Sequence, residues 1–129
     1  MTLPEVHNKN IGQYLEQSEI VEETVQQITK DFGMFGIEIL LSGNVENTYN
    51  ELHQQLVEVV NKLMVNNFEK LWAVMYRIDI SEREINKTST ELPEYSYAEV
   101  LAHQIILREL KKVLVRKFIK ENAPAIRND

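Results

Sequence analysis

Residues 96–121 read SYAEVLAHQIILRELKKVLVRKFIKE, and this stretch decides the fold. Its start carries a capping box: Ser96 can accept from the amide three residues on, and Glu99 can reach back to the Ser96 amide. Tyr95 and Val100 stand where a hydrophobic staple packs. No glycine or proline interrupts the run before Pro124, which is expected to stop the helix just past its last turn. At 100° per residue, Val100, Ala102, His103, Ile106, Leu107, Leu110, Val113, Leu114 and Phe118 share one broad apolar face. Arg108, Glu109, Lys112, Arg116 and Lys120 lie opposite. Leu101, Ile105 and Ile119 form a second apolar strip within that polar side, so the helix needs more than one neighbour. The length says the same. A helix of about 26 residues spans about 39 Å, whereas a chain of this size folds to a globule only about 30 Å across. Either the helix protrudes or a second copy of the chain covers part of it, and the second neighbour of its apolar strip comes from the same chain or from a partner.

Working outward, the preceding chain reads as three further principal helices. The first is expected over 12–32. Tyr14, Ser18, Val21, Val25, Ile28, Phe32 and Phe35 step by four and three, the spacing of a narrow seam. Gly33 and Gly36 break it. The segment 37–41 is apolar, β-branched in its first half and bounded by glycines, so it is expected to be extended. It would pair with a symmetry mate or lie over the bundle. Thr48 and Glu51 suggest a capping box for a helix over 48–65, which buries Leu52, Leu56, Val59, Val60 and Leu63. Asn66 or Asn67 caps the next helix, to about Ile78. Ser81 and Glu84 suggest a short helix over 82–86, and 87–95 reads as a polar mobile loop. Residues 1–10 read as a loose arm. The expectation is a mainly α protein: an antiparallel bundle of about four helices in a single domain over 1–129, with one short extended segment near 37–41.

Composition narrows the function classes. The chain has 129 residues, enough to bury a core without covalent staples. It has no cysteine, so disulfide, thiolate and tetrathiolate zinc chemistry are excluded. The first residues lack a basic segment followed by an apolar one, and no apolar run approaches the roughly 20 residues of a spanning helix. A cytoplasmic protein with no membrane partner is expected. Residues 1–65 hold 3 Lys/Arg against 10 Asp/Glu, while residues 66–129 hold 11 against 10. The acidic half opposes general nucleic-acid binding. It could instead dock on the basic end of the last helix, whose cations also complement the macrodipole.

Few residues suggest chemistry. His53 and His103 each fall on the apolar face of a helix. If those faces meet, the imidazoles could join Glu99 or Tyr97 in a metal or acid–base site. The Glu-x-x-His pairs of helical di-metal sites are absent, as is His-Glu-x-x-His, so core histidines with ordinary hydrogen bonds are the expectation. Arg77, Asp79, Glu82, Arg83 and Glu84 read as ion pairs around a capped turn. The Gly-x-x-Gly of residues 33–36 carries Met34 and Phe35 where a phosphate-gripping loop needs polar groups. Nucleophile elbows and phosphate loops are missing. No catalytic residue, metal or cofactor is assigned. The expected function is that of a non-enzymatic interaction or structural domain that forms a homodimer or binds another protein. Its expected contact residues are Met34, Phe35, Ile37, Leu101, Ile105 and Ile119. The alternative is a small helical-bundle enzyme or ligand- or metal-binding protein using His53 and His103.

Overall fold

The computed structural model describes Val6 and residues 10–14, 16–43 and 47–127. It is mainly α, with no strand among the described residues. A single helical turn, α1 (Ile11–Tyr14), precedes α2 (Ser18–Gly33), α3 (Thr48–Asn66), α4 (Phe68–Ile78), α5 (Glu82–Glu91) and α6 (Tyr97–Arg127).

Helix α6 is one unbroken rod and the centre of the bundle; α2, α3, α4 and α5 all pack on it. Its capping box forms in both directions: the Ser96 amide donates to Glu99 Oε1 (2.9 Å), and the Glu99 amide donates to Ser96 Oγ (3.2 Å). The helix does not stop before Pro124 but continues to Arg127. Residues 100–107 are all buried, as are Glu109, Leu110, Val113 and Leu114. Two expectations change as a result. The strip of Leu101 and Ile105 is covered within the chain, not by a partner, and only Ile119 of that strip is exposed. Glu109, assigned to the polar side, is completely buried. Helices on several sides cover most of α6 and leave only a narrow, partly exposed strip at Arg108, Lys111 and Lys112 along its middle.

The 12–32 helix is divided. Gln17 is extended (φ −89°, ψ 111°), so the chain leaves α1 and restarts at Ser18. From there α2 runs antiparallel to α6. Lys117 meets Glu19 at one end, Arg116 donates to Gln27 Oε1 (2.6 Å), and Lys112 approaches Asp31 at the other end. The acidic first half thus docks on the basic helix within one chain. Gly36, at φ +75°, turns the chain out of α2, and the Ile37 amide closes back on the Phe32 carbonyl (3.1 Å).

The segment 37–41 is extended, with no backbone partner strand among the described residues. Side chains of α3 replace one. The Gln55 amide bonds both the N–H and the C=O of Leu40, and Glu51 accepts from the Ser42 amide (2.9 Å) and hydroxyl (2.5 Å). Glu51 is therefore not the capping-box partner of Thr48, and Asn47 takes the N-cap position of α3. Asn67 caps α4 by accepting from the Lys70 amide (3.1 Å). Asp79 ends α4 in the left-handed region (φ 70°). Ser81 caps α5 by accepting from the Glu84 amide (3.2 Å).

Helix α5 extends to Glu91, so most of the expected loop over 87–95 is helical. Ile85 and Thr88, three apart, both turn inward, and Gln104 of α6 donates to the Thr88 hydroxyl. Burial on α6 overrides the weak helix propensity of the Lys87–Glu91 sequence. Of the expected N-terminal arm, only Val6 and Asn10 are described, and Val6 is buried in the core. The centre of the core is Ile28, Phe32, Leu52, Leu56, Val60, Ile105, Ile106 and Leu110, each at most 1% exposed. Each fully buried side chain of this kind contributes about 1.5–3 kcal/mol.

Candidate functional site

The antiparallel packing of α3 on α6 brings His53 and His103 into one cluster. The structure adds two residues that the sequence reading passed over, Tyr49 and Tyr95. Tyr49 lies one turn before His53 on α3, and its ring stacks on the His53 ring (centroids 5.4 Å apart, 17° between planes). Tyr95, just ahead of the α6 capping box, has its ring 5.3 Å from His53 and 6.0 Å from His103. The Tyr49 hydroxyl lies 2.5 Å from His103 Nδ1 and 3.4 Å from the Tyr95 hydroxyl.

The protonation states follow from burial. Burial, with a smaller contribution from the nearby His53, lowers the pKa of His103 to about 4, so its imidazole is neutral at neutral pH. Burial, and then Tyr95, push the Tyr49 phenol well above its usual value, so it keeps its proton. A neutral phenol and a neutral imidazole share this bond: Tyr49 donates to Nδ1 in one tautomer, and Nδ1–H donates to the Tyr49 oxygen in the other. His53 Nε2 lies 3.1 Å from the Glu99 carbonyl, an acceptor, so that nitrogen donates.

Tyr49 engages His103 Nδ1, and the Glu99 carbonyl engages His53 Nε2. Among the described residues, no group of three or more His, Cys, Asp or Glu is placed to hold a metal. Glu99 contributes its backbone carbonyl to the cluster, while its carboxylate serves the capping box. Bonds from the Ser96 amide and hydroxyl hold that carboxyl below its usual pKa. Tyr97, the fourth candidate, is not in the cluster. It is half exposed and lies beside Phe68, Leu71, Trp72, Met75 and Leu101. The cluster is therefore a buried polar clasp between α3 and α6.

A second polar centre, unexpected from sequence, joins α2, α4 and α6. Asp31 is buried, with Oδ1 3.3 Å from Arg77 Nε and Oδ2 3.1 Å from Gln27 Nε2. Lys112 Nζ lies 3.9 Å from Asp31 Oδ2 and 2.9 Å from Glu109 Oε1. The Lys112 ammonium thus pairs with a carboxyl group whose two oxygens are both buried. Burial first, and then the hydrogen bond to Asp31, raise the pKa of Glu109 to about 8. The partner moves the other way: the bonds from Glu109 and Gln27, with Lys112 and Arg77, outweigh burial and hold Asp31 below its usual value. Glu109 therefore holds its proton to a higher pH than an ordinary carboxyl, while Asp31 stays ionised.

The expected contact residues are scattered. Met34 is 60% exposed and Ile119 51% exposed. Phe35 and Ile37 are half-buried against the core. Leu101 and Ile105 are internal. The exposed apolar surface gathers elsewhere: Phe68, Trp72 and Tyr76 stand one turn apart along α4, with Val65 at the end of α3 and Tyr97 on α6. The signal was present in the sequence as aromatic residues at 68, 72 and 76. Density of apolar residues alone did not separate that row from Leu71, Val74 and Met75 on the inner face. The cations of α6 that suggested a nucleic-acid surface are partly spent on α2, through Lys112, Arg116 and Lys117. No helix among the described residues is long and apolar enough to cross a membrane. No protein-family model, curated protein or solved structure matches the chain.

Proposed function

We propose that this chain is a non-enzymatic interaction or structural domain that acts by associating with a second copy of itself. One observation carries the reading: the aromatic strip of Phe68, Trp72, Tyr76 and Tyr97 lies outside a core that is otherwise well covered. Aromatic residues exposed together mark protein contacts, and Trp and Tyr dominate their energetics. The interior polar groups favour the same reading. His103 bonds Tyr49, His53 bonds the Glu99 carbonyl, Asp31 bonds Gln27 and Arg77, and Glu109 pairs with Lys112, which is what structural groups do. The absence of cysteine suits a reducing compartment, and we place the protein in the cytoplasm. Light scattering on an eluting size-exclusion peak tests the proposal. A dimer mass that falls on dilution supports it, and a clean monomer at tens of micromolar refutes it.

A second reading, ligand or metal binding at the Tyr49–His53–Tyr95–His103 cluster, draws on the convergence of two imidazoles and two phenols. It requires zinc or iron to co-purify and to be lost in His103→Ala. Metal-free protein whose stability is unchanged by chelator removes it.

A further inference from the structure

We propose that the two copies meet through α4, packed antiparallel on the α4 of the second copy about a twofold axis near Trp72 and Ala73. This inference rests on the self-association reading above and specifies the surface used.

The strip is a ridge. Phe68, Trp72 and Tyr76 are spaced by four, and ridges of that spacing from two helices interdigitate. A closed dimer uses the same patch twice, so the ridge must complement itself. An antiparallel arrangement allows this. Phe68 of one copy falls near Tyr76 of the other, and the two Trp72 rings flank the axis. The small Ala73, exposed beside Trp72, lets the helices approach closely. Charge supports the same direction. Glu69 and Arg77 are both exposed on the same flank of α4, eight residues apart and of opposite sign. A twofold axis near residues 72 and 73 places Glu69 of each copy beside Arg77 of the other, making two symmetric pairs. A parallel arrangement would place this flank of the two copies on opposite sides of the contact, and neither pair would form. Arg77 keeps its Nε on Asp31 while part of its guanidinium side chain remains exposed.

The area is of the right order. At about 200 Å² per aromatic side chain, the exposed parts of Phe68, Trp72, Tyr76 and Tyr97 offer on the order of 450 Å². That is over half of the roughly 800 Å² per partner of a standard interface, before the flanking residues are counted. Among the described residues, no other exposed apolar side chains stand in a row of three: Met34 and Leu40 lie on separate segments, and Val115 and Ile119 make a row of two on α6.

The chain reports on its own contact, because Trp72 is its single tryptophan and is 39% exposed. Sedimentation and tryptophan emission are followed together through a dilution series. The wild type is expected to sediment as a dimer and to shift its emission to the red as it dissociates. Tyr76→Lys alters a side chain that is 88% exposed, so folding should be untouched, as a circular-dichroism melt will verify. It should weaken association about tenfold or more, as removal of an interface aromatic does. Glu69→Lys should weaken it several-fold, and more at low ionic strength. Met34→Lys, on another surface, should leave it unchanged. A wild-type dimer indifferent to both α4 variants overturns the α4 pairing while leaving self-association standing. A wild type that stays monomeric through tens of micromolar overturns both. A monomer whose Trp72 emission shifts blue only on phosphatidylcholine vesicles assigns the strip to a lipid surface and also overturns the pairing.

Discussion

Replacing Glu109 by glutamine should flatten the dependence of stability on pH. Glu109 is fully buried, and its pKa rises from 4.5 to about 8 on folding. Between those values the folded chain holds a proton that the unfolded chain has released. Stability conferred by this group is therefore fully present below the unfolded pKa and is lost as pH rises toward 8. Each unit of pH within the window is worth about 1.4 kcal/mol, and integration gives a loss of about 2–3 kcal/mol between pH 6 and pH 9. At about 3–4 °C per kcal/mol for a chain of this length, the melting temperature should drop by roughly 8–10 °C over that interval. Asp31 acts in the opposite sense and in a different range. Its lowered pKa confers stability above its unfolded value of 3.8, which is lost as the solution is acidified, so it does not mask the alkaline limb. Glutamine keeps the shape of Glu109 and cannot ionise. Glu109→Gln should match the wild type near pH 6 and exceed it at pH 9. Urea unfolding at pH 6, 7, 8 and 9 measures the difference. If the wild type and Glu109→Gln lose stability in parallel between pH 6 and pH 9, Glu109 does not hold its proton through that range and the argument fails.

Two further predictions concern the other polar anchors. Tyr49→Phe removes the hydroxyl that bonds His103 Nδ1, so unfolding should cost about 1 kcal/mol less; Tyr49→Phe as stable as the wild type in urea would show that the clasp adds nothing. Gln55→Ala frees the Leu40 amide from its side-chain partner. Hydrogen exchange at Leu40 should accelerate by an order of magnitude or more while global stability changes by only about 1 kcal/mol, and exchange unchanged at Leu40 would show that the segment is held by its apolar contacts alone.

The parts of the fold legible in the sequence were those governed by local rules. The Ser96–Glu99 box, the Asn67 and Ser81 caps and the exit at Gly36 each act within a few residues, and each forms. Errors arose where a distant neighbour decided. Thr88 is polar and sits in a run resembling a loop, yet the buried Gln104 holds it in a helix. Glu51 has the spacing of a capping partner but finds Ser42 instead. The strip of Leu101 and Ile105 announces that something must cover it, but periodicity cannot say whether the cover comes from the same chain. Polarity alone placed Glu109 outside, whereas the helices around α6 cover the side on which it lies. In the candidate site, His53 and His103 were recognisable as polar groups on apolar faces. Tyr49, one turn from His53, carried the same signal in weaker form, since a tyrosine on an apolar face is unremarkable until its hydroxyl needs a partner.

The central position of α6 also sets an order on biosynthesis. A ribosome delivers α2 through α5 before residues 97–114, the hub on which those helices converge. Until that segment clears the exit tunnel, the amphipathic faces upstream lack their principal shelter. The nascent chain should therefore stay open and protease-sensitive, dependent on holding chaperones, and complete its collapse only after the last helix emerges.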